Sequence, residues 1–375
     1  MLRTGRVGFG AFALALGAMT APASAQVMNG GSMELGGEKL ALSRDEMTRL
    51  SQLREALNAA PAIQDQLLAA ARTVANSPDA RHVLASYELE IAQRRHDDVM
   101  RARALDVLIV SRLTRPERLA SYVAARGDIA WRAHDLALAA TLWTRAAELQ
   151  PDSPQALMNL AQVKAAQADP DAAADLIRRA IALAGRGQAT VPEVWYRQWL
   201  SIAYNGHQQA QTAVAGQALL GAYPIADNWR FALVAYRQLL AVPAAEIDML
   251  RLMRATRSFN QSVEYQRLAQ LLLRAGLPAE ARETLEDGMA RNIVDRNASP
   301  IPEIGREIDR ALAARPAAPA APAPASADLR RAGALALAGR RAEAEPLLRT
   351  LADHGAQDWE KDIARFWLLW LRRPA

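Results

Sequence analysis

The chain contains no cysteine. That excludes disulfides, thiolate metal sites and a cysteine nucleophile, and it leaves burial of apolar side chains as the source of stability. Lysine is nearly absent too: Lys39, Lys164 and Lys361 are the only ones among 45 basic residues. The remainder are arginine, whose planar fork suits carboxylate and phosphate partners. Neither sign of charge dominates. The net charge is +5, and roughly +3 if Arg3 and Arg6 leave with an N-terminal leader, too little for a nucleic-acid binder. No segment shows the strict alternation of a half-buried strand, so the chain is expected to be all helix.

Signatures of chemistry are equally sparse. The five histidines (His82, His96, His134, His207, His354) sit in separate segments without the two-His helical spacing of a metal site. His96-Asp97-Asp98 is the densest cluster of ligand types, and its place at a polar helix junction points to solvation. Gly31 and Gly36 have the spacing that opens a phosphate loop, but Gly37 stands where lysine is required. No G-x-S-x-G elbow or S-x-x-K pair is present. Glu88 and Glu90, like Glu343 and Glu345, lie two apart on expected helices and face different directions, which does not make a glycosidase pair. The expectation is a non-enzyme without metal or cofactor; the enzyme alternative is a cell-wall-acting protein with an unrecognised site.

What is present begins with residues 1–25. Arg3 and Arg6 precede a 13-residue apolar stretch, Val7 to Met19, and Ala23-Ser24-Ala25 supplies an A-x-A cleavage pattern. This reads as a signal peptide, too short for a membrane span, and predicts a periplasmic or secreted protein with no span after its removal. Residues 26–42, rich in Gly and polar residues, read as a flexible lead-in. Residues 43–119 form an N-terminal helical region: Ser43 and Glu46 make a capping box, and Pro61, Asp79 and Asp98 begin further helices.

A 34-residue echo then appears. Ala139, Trp143, Ala146 and Leu149 return as Ala173, Ile177, Ala180 and Leu183, small residues letting helices approach and bulky ones filling between pairs. Helix pairs follow through residues 120–296. Asp169-Pro170 and Gly276-Leu277-Pro278 supply turns, and Thr190 with Glu193 reads as a second capping box. Residues 297–327 hold a helical remnant and a Pro/Ala tract that favours extended spacer geometry. Residues 328–375 give a last pair turned at Gly339 and a Trp-rich helix, Trp359 to Arg372, expected to cap that pair; a dimer seam or a membrane-surface contact through this helix is the alternative.

The chain resembles the tetratricopeptide-repeat family, best in Ala156-Leu157-Met158-Asn159-Leu160-Ala161 and in Leu268 to Gly288. The resemblance implies an all-α solenoid of antiparallel helix pairs, a right-handed superhelix whose first helices line a concave groove for peptides or proteins. Under that register the groove-facing positions are Trp131, Arg132, Asn159, Gln162, Arg197, Tyr204, Arg230, Arg237, Arg267 and Arg274. Six of these ten are arginine, which suggests an acidic or extended peptide, or an anionic glycan, as partner. The function read from this is an exported scaffold for protein partners in cell-envelope assembly, with envelope-polysaccharide export as the alternative.

Overall fold

The computed structural model describes residues 26–29, 32–35, 38–186, 190–314 and 327–372. The expected leader at 1–25, and the Pro/Ala tract over 315–326, lie outside the described residues. The chain divides after Pro151 into two compact units, so the repeats expected as one block over 120–296 are shared between them.

The first unit opens with a difference from expectation. Strands β1 (Gln26–Asn29), β2 (Ser32–Leu35) and β3 (Glu38–Lys39) form a small antiparallel sheet in the order β1-β2-β3, with Val27 opposite Glu34 and Glu34 opposite Lys39. Met33 and Leu40, 1% and 5% exposed, join the core of Leu50, Leu53, Leu68 and Tyr87. Strands of two to four residues are too short to display a period, so the flexible lead-in read over 26–42 is instead pinned by two apolar anchors.

Six helices follow: α1 (Arg44–Glu55), α2 (Pro61–Val74), α3 (Pro78–Arg95), α4 (Asp98–Val110), α5 (Pro116–Arg132) and α6 (Leu136–Leu149). They pack as consecutive pairs α1–α2, α3–α4 and α5–α6. The Ser43–Glu46 capping box forms as expected. Its carboxylate also reaches across the fold, accepting from the backbone N–H of Asn76 at 3.1 Å and of Ser77 at 2.8 Å. One buried side chain thereby anchors the N-termini of two helices. Burial alone would raise its pKa, but the N–H donors of Ser43 and Ser77 win and hold it at about 2.

In α5–α6 the echo residues meet as designed by their sizes. Trp143 lies flat on Gly127, where an added Cβ would fall 2.5 Å from the indole Cδ1. Its Nε1 donates to Asp128 Oδ1 at 3.0 Å and to the Ala124 carbonyl at 3.2 Å. Leu149 departs from the pattern: it is 43% exposed, because it closes the last turn of α6 beyond the stripe formed by Ala139, Trp143 and Ala146.

The second unit contains α7 (Pro154–Ala166), α8 (Pro170–Ala184), α9 (Glu193–Asn205), α10 (Gln209–Ala222), α11 (Ala226–Leu239), α12 (Glu246–Ala255), α13 (Ser262–Arg274), α14 (Pro278–Ala290), α15 (Ile301–Ala313), α16 (Ala327–Leu337), α17 (Arg341–His354) and α18 (Asp358–Leu371). From α7 to α14 the helices stack in sequence as antiparallel pairs of the tetratricopeptide kind, around one core that runs from Leu157 to Leu371. Trp195, Trp199 and Trp229 are buried in it, so they pack between repeats. The Thr190–Glu193 capping box does not form. Helix α9 starts at Glu193 with Pro192 in the N-cap place and no side-chain cap, two residues later than a Thr190 cap requires.

The turn inside most pairs is the same device. His96, His134, Ala168, His207, Gly276 and Gly339 all adopt positive φ, between 54° and 74°. In each case the next residue's N–H returns to a carbonyl five residues back, as Asp135 does to Ala130 and Asp169 to Lys164, both at 2.9 Å. Three histidines that the sequence leaves scattered therefore occupy equivalent helix-terminating positions. The C-terminal helices bring a second surprise. Helices α16–α18 pack on one another, yet they also fold back onto α10 and α12 instead of only capping the last pair.

Candidate functional site

The first-helix face of the second unit carries most of the residues expected to line a groove, and the ladder that joins them has the repeat's own period. Arg197 Nη1 donates to Asn228 Oδ1 at 2.5 Å, while its guanidinium sits 4.8 Å from the Phe231 ring, 34 residues on. Arg230 Nη1 donates to the Ser258 carbonyl and approaches Glu264, again 34 residues on, at 3.4 Å. The Tyr204 hydroxyl donates to Gln238, the same step later. Residues one period apart lie side by side on adjacent first helices, so each long polar side chain spans to its neighbour.

At the next level Glu246 gathers three arginines. Arg267 binds it through Nε at 2.9 Å and Nη2 at 2.6 Å, Arg237 lies 3.8 Å away, and Arg274 adds its field. The Arg267 fork holds the Glu246 carboxyl below its ordinary range. Arg274 is exposed and has no ion-pair partner within 4 Å among the described residues. In the first unit, Arg132 grips Asp98 with both nitrogens, at 2.9 and 3.2 Å.

The expected groove residues thus fall into three groups. Arg197, Tyr204, Arg230, Arg237 and Arg267 are brought together on α9, α11 and α13, with Arg274 at the edge, and most of their donors are used internally. Asn159 is 2% exposed and its Oδ1 accepts from Gln155 at 2.9 Å, which removes it from any partner's reach. Gln162 is half-buried on α7. Trp131 and Arg132 belong to the other unit, where the half-buried Trp131 ring packs 5.3 Å from that of Trp143. The arginine forks do grip carboxylates, but the carboxylates belong to the chain itself.

Sequence reasoning missed Phe231, Gln238 and Glu246 as members of this surface. The signal was available for the first two: adding 34 to Arg197 and Tyr204 gives Phe231 and Gln238, whereas Glu246 lies 21 residues before Arg267, off the period. The His96-Asp97-Asp98 cluster resolves into helix termination, with Asp97 Oδ1 capping α4 through Val99 and Met100 N–H at 3.0 and 2.9 Å. Among the described residues no group of three or more His, Asp or Glu side chains is arranged to hold a metal ion, and no helix is long and apolar enough to cross a membrane.

No protein-family model and no curated protein matches the chain. Among solved structures it is similar to a chain in the crystal structure of the APC/C hetero-tetramer Cut9–Hcn1, with 15% identity over 72% of this chain and a TM-score of 0.22. The matched part spans 63% of that chain. The helix-pair architecture accordingly rests on this chain's own periodicity and packing: it is an all-α array of tetratricopeptide-like pairs.

Proposed function

We propose that the chain is a non-enzymatic scaffold that binds a protein or peptide segment across the first-helix face of α9, α11 and α13. The observation that carries this reading is the internal ladder itself. Arg197–Phe231, Tyr204–Gln238, Arg230–Glu264 and Arg267–Glu246 fix side chains of α9, α11 and α13, the last through the start of α12, before any partner arrives, so little freedom is lost on binding. With its other arginines already paired, the face presents amide groups at Gln238 and Gln270, the aromatic edges of Tyr204 and Phe231, and the exposed Arg274, which has no ion pair among the described residues. That mixture suits the backbone of an extended segment better than a run of acidic side chains. The leader pattern at residues 1–25 supports export, and with it a partner in the cell envelope.

Photo-crosslinking residues placed at Gln238 and Gln270 in living cells, with adducts identified by mass spectrometry, test the assignment. A defined protein adduct at both positions is expected, and none at Glu283 or Glu286, which are exposed on α14. Equal adducts at both pairs of positions, or adducts at α14 alone, would show that the face is misassigned. Fractionation of the same cells reads the location, and retention of the chain with residues 1–25 attached in the cytoplasm would remove the envelope from the proposal.

A further inference from the structure

Helix α10 lacks a core residue that every comparable helix possesses. Counted from the residue preceding each second helix of a pair, the eighth position is Trp143 in α6, Ile177 in α8, Met253 in α12, Leu285 in α14 and Leu348 in α17, all buried. In α10 it is Gly216. The volume is filled from elsewhere. A Cβ at Gly216 would meet the Ala232 Cβ at 3.2 Å and the Phe366 ring at 3.4 Å, and Phe366 belongs to α18. The same helix adds a polar anchor one turn earlier: Tyr236 of α11 donates its hydroxyl to Asp362 Oδ2 at 3.0 Å, fully buried. The Tyr236 and Phe366 rings lie 5.7 Å apart, and the Gln217 side chain reaches the Asp362 carbonyl oxygen at 3.5 Å.

We propose that the face formed by α10, α11 and α12 is a helix-recognition site, that α18 occupies it in cis, and that a partner's amphipathic helix of the same chemistry displaces α18. The recognition element is a carboxylate followed four residues later by an aromatic ring, Asp362 and Phe366, on one helical stripe. The receptor supplies Tyr236 for the carboxylate and the Gly216 gap for the ring.

Two features make the cis occupant removable. Its residues are 126 positions from Tyr236 in sequence, and α16–α18 pack on one another, so they can leave as one body. The second tie between this body and the array is poor. Arg330 Nε on α16 stands 3.7 Å from Asp248 Oδ2 on α12, and neither atom has a hydrogen-bond partner among the described residues. Arg251 Nη1 lies 3.5 Å from the other Asp248 oxygen and is unpartnered as well. Glu280 holds Arg251 through two hydrogen bonds, at 2.7 and 2.5 Å, but Asp248, 2% exposed, has no hydrogen bond to either arginine, and a carboxylate buried in that way costs docking energy that a well-packed apolar contact would not.

The site is distinct from the first-helix face, because it is built on second helices α10 and α12 together with the buried side of α11. The probe is a fluorescent peptide of residues 357–372, titrated into the full chain and followed by anisotropy. A site occupied in cis reduces apparent affinity by the fraction of time it is open. The peptide is therefore expected to bind the Phe366→Ala chain at least ten-fold more tightly than the unaltered chain. A peptide carrying Phe366→Ala should bind that chain at least ten-fold more weakly. The Asp362→Asn chain, which keeps the volume of α18 and weakens its polar anchor, should fall between the two. Circular dichroism confirms that each chain stays folded, and the Asp362→Asn chain serves alone if Phe366→Ala does not fold. Equal affinity for altered and unaltered chains, or indifference to the peptide's own Phe366→Ala change, overturns the proposal.

Discussion

Replacing Gly127 with alanine isolates the contact on which the 34-residue echo depends. Taken alone, the change should stabilise α5, since alanine is better than glycine inside a helix by about 1 kcal/mol. The structure opposes it. The new Cβ would lie 2.5 Å from both Cδ1 and Nε1 of Trp143, about 1 Å inside an ordinary contact. The indole cannot retreat cheaply, because it is 1% exposed and its Nε1 is held by Asp128 and Ala124. Overpacking costs about 1–3 kcal/mol, and a strained hydrogen bond to a half-buried carboxylate adds about 1 kcal/mol or more. The propensity gain offsets part of this, leaving a net loss of about 1–3 kcal/mol. For a unit of this size, that is a fall of roughly 3–10 °C in Tm. Thermal and urea unfolding followed by circular dichroism read the change, with Gly305→Ala as the control. Gly305 lies inside α15 with nothing within 4 Å of its added Cβ, so that substitution should raise stability by about 0.5–1 kcal/mol. A Trp143→Leu change in the Gly127→Ala background should recover part of the loss by vacating the space. If Gly127→Ala stabilises as much as Gly305→Ala, the indole does not lie on the α5 backbone and the packing argument fails.

Other outcomes follow from the same coordinates. Glu46→Gln should destabilise the first unit by about 2 kcal/mol, because three backbone N–H donors lose a charged acceptor. Since the Glu46 pKa is lowered to about 2 in the fold, its contribution is present above the unfolded value near 4.5 and vanishes as pH falls toward 2; acid melts of the Gln variant should lack that slope. Asp248 runs the other way: burial pushes it up to about 7 despite Arg251 and Arg330. Its contribution is complete below the unfolded value near 4 and is lost as pH rises to the folded value of about 7, so Asp248→Asn should flatten the decline in Tm between about pH 4 and 7. On the first-helix face, Arg230→Glu sets a second carboxylate against Glu264 and should cost about 2–4 kcal/mol in a urea melt. Arg274→Glu, with no ion-pair partner, should stay within about 0.5 kcal/mol. At the repeat turns, Ala168 is a non-glycine at φ 58°, and Ala168→Gly should raise stability by about 1 kcal/mol where glycine at an ordinary helical position would lower it.

Much of the array was legible from residue types alone. Ser43 with Glu46, Asp169-Pro170 and Gly276-Leu277-Pro278 mark helix ends because capping and turn chemistry act within four residues of chain. Thr190 with Glu193 carries the same letters and fails, since Pro192 takes the N-cap place and the helix starts two residues later. The candidate surface was legible by position and misread by availability. Arg197, Arg230 and Arg267 do face along the first helices, but their partners lie elsewhere in the chain, Phe231 and Glu264 one period on and Glu246 21 residues back, and a list of groove-facing positions does not reveal which donors are already taken.

The order of letters by itself determined the helices, their period and the small–large alternation, because all three arise from contacts within one helix or between consecutive ones. Tertiary structure decided everything that joins distant stretches. It placed Glu46 on the start of α3, recruited into a core Met33 from a strand too short to announce itself and Leu40 from just beyond the next, and set Phe366 into the gap at Gly216. These pairings depend on which surfaces remain uncovered once the helices have stacked, and no local pattern encodes that remainder.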